Sequence, residues 1–221
     1  MQPSKVEEVF TRFQAANPHP KSELAAPNAF CFLVSVVLSA QTTDKAVNKA
    51  TEELYKTAST PQQMLMLGEE KLAGFIRSIG LYKTKARHVI ALCQMLIERF
   101  DSHIPSTRDK LESLPGVGRK TANVVLNAVF GQPEIPVDTH LLRICPKIGL
   151  AQGKTPLQVE TSLKERVPDR FLLYAHHWLI LHGRYVCTAR RPKCSSCLIE
   201  DICLKNETIN YQVTPKPAMT E

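Results

Sequence analysis

Glycine is scarce, 9 in 221 residues, and no segment alternates apolar and polar residues over the length of a strand. Without period-2 patterning or hairpin dipeptides a sheet has nothing to start from, so the chain reads as helix after helix. Long apolar runs are missing too. The longest, Phe30 to Ala40, is eleven residues, against about 20 needed to cross a bilayer. The opening MQPSKVEEVF lacks the apolar core of a signal peptide. No membrane partner is therefore expected, no targeting signal is seen, and the expected location is cytoplasmic. No repeat of fixed period and no low-complexity tract is present. Acidic residues are in deficit, 21 against 28 Lys plus Arg, a net charge of +7 that points to a polyanionic partner.

What remains is ordinary globular material, 43% apolar and 22% charged, long enough for one large domain or two small ones. Ser4 followed by Glu7 reads as a capping box ahead of Val6, Val9, Phe10 and Phe13, with Pro18 and Pro20 closing the helix. Phe30 to Ala40 is apolar all round, which predicts a buried helix. Thr60-Pro61 and Thr155-Pro156 each place a cap before a first-turn proline. Lys85 to Phe100 carries an apolar face, Pro146 should end or kink its helix, and Cys31, Cys93 and Cys145 lie among apolar neighbours as small core residues.

Three segments carry chemistry. LPGVGRKTAN, Leu114 to Asn123, has helical spacing on both sides and a Pro-Gly-x-Gly break within it, so it is a tight turn between two helices. Such a turn offers the N–H groups of Gly116, Val117 and Gly118 to a phosphate, and Arg119 and Lys120 oppose the helix dipole unless an anion or a function is served. Lys120 reads either as a phosphate ligand or as a nucleophile, the latter requiring desolvation and the helix N-terminus to lower a pKa ordinarily near 10.4. Asp138 precedes Thr139-His140-Leu141-Leu142 and is a good helix N-cap. Cys187, Cys194, Cys197 and Cys203 crowd into seventeen residues. That pattern fits a metal site better than a disulfide framework, and thiolate softness alone leaves tetrahedral zinc and an iron–sulfur cluster both open.

LPGVGRKTAN, then VDTH at Val137 to His140, then Cys-x6-Cys-x2-Cys-x5-Cys, closely resembles the helix-hairpin-helix DNA glycosylases of the endonuclease III type. LSAQTTD at Leu38 to Asp44, IGLYKTKA at Ile79 to Ala86 and HHWLILHGRYVC at His176 to Cys187 extend the similarity over nearly the whole chain.

The resemblance implies an all-α protein of two helical domains with the active site in the cleft between them. One is a six-helix domain over residues 22–132 with the hairpin; the other, a cluster domain, joins 1–21 to 133–211, and 212–221 form a loose tail. It implies that Lys120 is the amine attacking the deoxyribose C1′, that Asp138 is the catalytic carboxylate, and that the four cysteines hold a structural 4Fe-4S cluster. Gln41 and Leu81 are implied to fill the gap left by a flipped nucleotide; Asp44 is a weaker site candidate, since it also suits the opening of the next helix. His140 and Arg143 are further candidates for phosphate contact, and so are Arg190, Arg191 and Lys193 in the first cysteine gap. His176, His177 and Trp178 are expected to pack between domains.

The expected partner is double-stranded DNA with a damaged or abasic nucleotide, bound by a monomer. The expected reaction is excision of oxidised pyrimidines such as thymine glycol, followed by β-elimination. Rival readings are a pyrimidine-dimer or an adenine-mispair glycosylase of the same fold. The amine at position 120 and the eighteen residues after Cys203 speak against the adenine-mispair enzyme. Outside catalysis, a DNA-binding module using only the hairpin and basic loop remains.

Overall fold

Polar side chains and prolines set where the helices begin. In the computed structural model, which describes residues 1–205, Asn28 accepts from Cys31 N–H to open a helix over Ala29–Leu38 (α2). Thr43 caps Asp44–Thr57 (α3), and Thr60, followed by Pro61 at the first position, caps Pro61–Leu67 (α4). Glu69–Phe75 (α5), Tyr82–Phe100 (α6), Arg108–Glu112 (α7) and Arg119–Phe130 (α8) complete a unit running from Lys21 to Pro136. The expected six-helix domain thus shows seven helical segments, the five residues of α7 making little more than one turn.

At its centre lies α2, with Cys31, Leu33, Val34 and Leu38 fully buried. It packs on α3, α6 and α8, while α4 and α5 pack on α6. Each fully buried Leu or Val contributes about 1.5–3 kcal/mol by area. Burial pushes the thiols up to about 11 at Cys31 and about 12 at Cys93, so both are inert packing groups.

The second unit joins Met1–Pro20 to the chain from Val137 onward. Its helices are Pro3–Ala16 (here α1), Thr139–Ile148 (α9), Pro156–Arg166 (α10) and Asp169–Leu181 (α11). Phe10 of α1 stacks on Phe171 of α11 at 5.7 Å, and Trp178 sits beside both while its Nε1 donates to the Asn17 carbonyl at 2.8 Å. Trp178 therefore packs within this unit.

No strand occurs among the described residues, and helix makes up 66%. No described helix is long and apolar enough to cross a membrane. The loose tail expected over 212–221 lies outside the described residues.

Two local expectations are corrected. The helix starts at Pro3 with Gln2 as its unbonded cap, so Ser4 lies inside it and forms no capping box; Pro3, with φ preset for a first turn, takes the start. Of the two outcomes expected at Pro146, an end to the helix does not occur there: α9 continues to Ile148 and closes on Gly149 at φ 84°. Pro146 supplies no N–H to the Leu142 carbonyl, and the helix end still closes because Gly149 and Leu150 donate to the Pro146 and Cys145 carbonyls.

Candidate active site and cluster loop

The turn between α7 and α8 is built by its glycines. Gly116 has φ 79°, and a Cβ there would lie 3.1–3.2 Å from His88 and Val37, so both conformation and space demand glycine. Leu114 and Val117 bury their side chains beneath the turn, and Val117 N–H donates to the Leu114 carbonyl at 3.1 Å. Of the three N–H groups expected to meet phosphate, Val117's is thus taken up by the turn itself. Those of Gly116 and Gly118 carry no hydrogen bond among the described residues.

Arg108 on α7 braces the turn from below. Its Nε donates to Asn123 Oδ1 at 2.9 Å and its guanidinium pairs with Glu134 at 2.6 Å. Sequence reasoning missed this brace, whose partners lie 15 and 26 residues away.

Gly118 caps α8, which makes Arg119 and Lys120 its first two residues. Both are exposed. The desolvation expected of a nucleophilic Lys120 is therefore not in place, and what the fold supplies is the positive end of a twelve-residue helix. Gln41 and Leu81, in the same unit, occupy loop positions with exposed side chains. Asp44 is the first residue of α3, capped by Thr43.

Asp138 belongs to the other unit and caps α9. Its Oδ1 accepts from His140 N–H and from Leu141 N–H, both at 2.9 Å. Capping uses one oxygen only; Oδ2 has no hydrogen bond among the described residues. His140 follows in the first turn, its Cβ 3.0 Å from where a Cβ on Gly183 would sit, so Gly183 lets a π-helical turn over His182–Val186 approach α9. Arg143 is half-buried, its guanidinium hydrogen-bonded to the carbonyls of Gly183 and Cys187. Two of the donors expected to meet phosphate are engaged within the protein.

Cys187, Cys194, Cys197 and Cys203 line one cavity, with Ile148, Val186 and Ile199 on its apolar side. Burial pushes the Cys197 thiol up, and the other three cysteines push the same way. Four cysteines around one cavity act together as thiolate ligands only where a cationic centre offsets their charge. Four cysteines lining one cavity are the donor set of an iron–sulfur cluster or of a single zinc.

His182, pushed down to about 4 by burial and by Arg143, is a neutral ring with Nε2 3.9 Å from Cys197 Sγ. Arg190, Arg191 and Lys193 stand exposed on the loop between the first two cysteines. Its backbone is pinned by Thr188 Oγ1 on the Arg191 carbonyl and by Lys193 N–H on the Val186 carbonyl. From α1, Arg12 grips Asp201 at 2.6 and 3.0 Å and the Leu198 carbonyl at 2.9 Å, tying the loop's second half to the N-terminal helix.

Residues 34–169 match the family described as HhH-GPD superfamily base excision DNA repair protein, and residues 187–203 match the iron-sulfur binding domain of endonuclease III. The second match begins at Cys187 and ends at Cys203.

Among solved structures, a trapped endonuclease III–DNA covalent intermediate superposes with a TM-score of 0.88 at 39% identity, covering 95% of this chain and 99% of that one. A non-covalent endonuclease III–DNA complex gives the same score and identity over 96% and 99%. A thermostable thymine-DNA glycosylase, 20% identical with a TM-score of 0.81, shares the fold.

Endonuclease III of Escherichia coli K12 is 50% identical over 210 residues, 95% of this chain and all of that one. With endonuclease III of Treponema pallidum the identity rises to 58%, across 91% of this chain and 95% of its relative. Agreement of that breadth, in two different matches and in the backbone itself, assigns the chain to the endonuclease III family of base excision DNA repair proteins.

Proposed function

We propose that Lys120 and Asp138 carry the chemistry of this DNA glycosylase/AP lyase. The observation that carries the reading is Lys120 itself, an exposed amine at the second position of α8, directly after a glycine turn with two N–H groups available to a phosphate. The turn would hold the backbone beside the damaged nucleotide while the amine bonds to C1′ and the C1′–base bond breaks. Loss of a proton from the new amine and opening of the sugar ring leave a Schiff base, which acidifies the C2′ protons. Removing one of these expels the 3′ phosphate by cleavage of the C3′–O bond. Asp138, with Oδ2 open, would stabilise the positive charge developing at C1′.

Oxidised pyrimidines are the proposed substrates, with Gln41 and Leu81 filling the space left by the flipped nucleotide. Phosphate contacts are assigned to Gly116, Gly118, Arg119, His140, Arg190, Arg191 and Lys193. Cys187, Cys194, Cys197 and Cys203 would hold the 4Fe-4S cluster, which supplies folding free energy to the loop that presents the basic residues. The protein is proposed to act as a monomer in the cytoplasm, on the nucleoid.

Borohydride trapping on an abasic duplex tests the central claim. The native protein forms a covalent adduct; Lys120→Gln forms none, and its duplex affinity stays within about tenfold because one cation among several is lost. An adduct that persists in Lys120→Gln transfers the chemistry to another amine.

A further inference from the structure

Gln41 and Leu81 share an uncommon backbone. Their φ values are 55° and 58°, in the left-handed region that costs a residue with a side chain about 1–2 kcal/mol. Leu81 is 61% exposed, so no burial of its side chain offsets the strain. Such strain persists where the surroundings hold it in place.

Lys85 links the two loops, by its side chain to one and by its backbone, in the first turn of α6, to the other. Lys85 Nζ donates to Thr42 Oγ1 at 2.8 Å, beside Gln41, while Lys85 N–H donates to the Leu81 carbonyl at 2.9 Å. Thr42 N–H in turn closes on the Ser39 carbonyl at 3.0 Å, which bends the chain through Gln41. Lys85 is only 4% exposed and falls on the inward face of α6 with Val89, Leu92 and Leu96. Burial lowers its pKa, the mark of an ammonium held away from water. A methionine would fill the same space without that desolvation, so the lysine serves its partner hydroxyl.

We infer that Lys85 and Thr42 form a strap setting the separation of the Gln41 and Leu81 loops, so that both side chains meet the base stack in one arrangement. Lys85 is then a positioning residue for base extrusion, with no contact to the reacting atoms. The inference rests on the gap-filling reading of Gln41 and Leu81.

The test compares single-turnover excision of thymine glycol from an intact duplex with β-elimination at a preformed abasic site, where there is no base to unstack. Thr42→Val removes the hydroxyl at constant shape. It should slow base excision at least about tenfold, the lower edge of the worth of one hydrogen bond to a charged group, and change abasic-site cleavage less than about twofold. Thr42→Ser should restore excision.

Lys85→Met should show the same split, and the double variant should be no slower than Thr42→Val, which removes the bond to Lys85 together with the hydroxyl's own 3.3 Å bond to the Ala40 carbonyl. Equal loss in both reactions, or additive losses in the double variant, would overturn the strap. Gln41→Ala and Leu81→Ala separate the two failures. If they split the reactions and Thr42→Val does not, the strap alone falls; if they do not, the gap-filling reading falls and the strap with it.

Discussion

Arg143 donates to the carbonyl oxygen of Cys187 at 2.6 Å, and through its other terminal nitrogen to that of Gly183 at 2.9 Å. A planar fork thus spans the π-helical turn and anchors the first cysteine to α9. Arg143→Ala should destabilise the protein by about 3–6 kcal/mol in urea unfolding, the range for two hydrogen bonds from a charged donor, and hasten loss of iron to a chelator. Arg143→Lys should fail to restore stability, because an ammonium cannot reproduce the fork. The salt dependence of DNA binding should stay as it is; a slope flattened by about one would return Arg143 to the phosphate contacts.

The division of labour between the two oxygens of Asp138 is separable by mutation. Asn retains an oxygen to accept from His140 and Leu141, so Asp138→Asn should lose less than about 0.5 kcal/mol of stability while turnover falls at least about a hundredfold. Asp138→Ala removes the cap as well and should cost about 1 kcal/mol more. Turnover by Asp138→Asn close to the native rate would leave the residue a helix cap only.

Arg191→Ala and Lys193→Ala should each flatten the log–log salt dependence of duplex affinity by up to about one, with lesion preference unchanged. These side chains are exposed on a loop whose backbone is held independently of them. A variant that changes lesion preference and leaves the slope intact would place that residue at the base rather than the backbone.

Protein isolated without air should be yellow-brown and contain about four irons per chain. Cys197→Ser should lower yield and loosen DNA binding, yet the fraction that folds should still form the borohydride adduct through Lys120. One zinc and no iron would overturn the ligand assignment without touching Lys120 or Asp138.

What was legible in the sequence was local. Asp138 announces its cap because its partners are two and three residues away, and the turn at Gly116 is written in a Pro-Gly-x-Gly that no continuous helix accepts. The Ser4–Glu7 pattern misled because Pro3 begins the helix one residue earlier. Arg143 reads as a free cation until the carbonyls 40 and 44 residues downstream arrive. Lys85 is a middle case: the apolar face of the helix it begins is legible, but its own burial is not, and its partner Thr42 lies 43 residues back where no local rule pairs them.

The Arg12–Asp201 pairing and the stacking of Phe10 on Phe171 have a consequence for biosynthesis. Residues 21–136 form a contiguous unit and can close their core while the ribosome is still adding the rest of the chain. The N-terminal helix, made first, has its aromatic partners 161 to 168 residues downstream and its ion-pair partner 189 residues downstream. It must wait in an unpaired state, its apolar stripe of Val6, Val9, Phe10 and Phe13 open to chaperones, until almost the whole chain has emerged. The connectivity thus permits an order in time, in which the hairpin unit closes while the unit carrying Asp138 and the cysteines still lacks part of its chain.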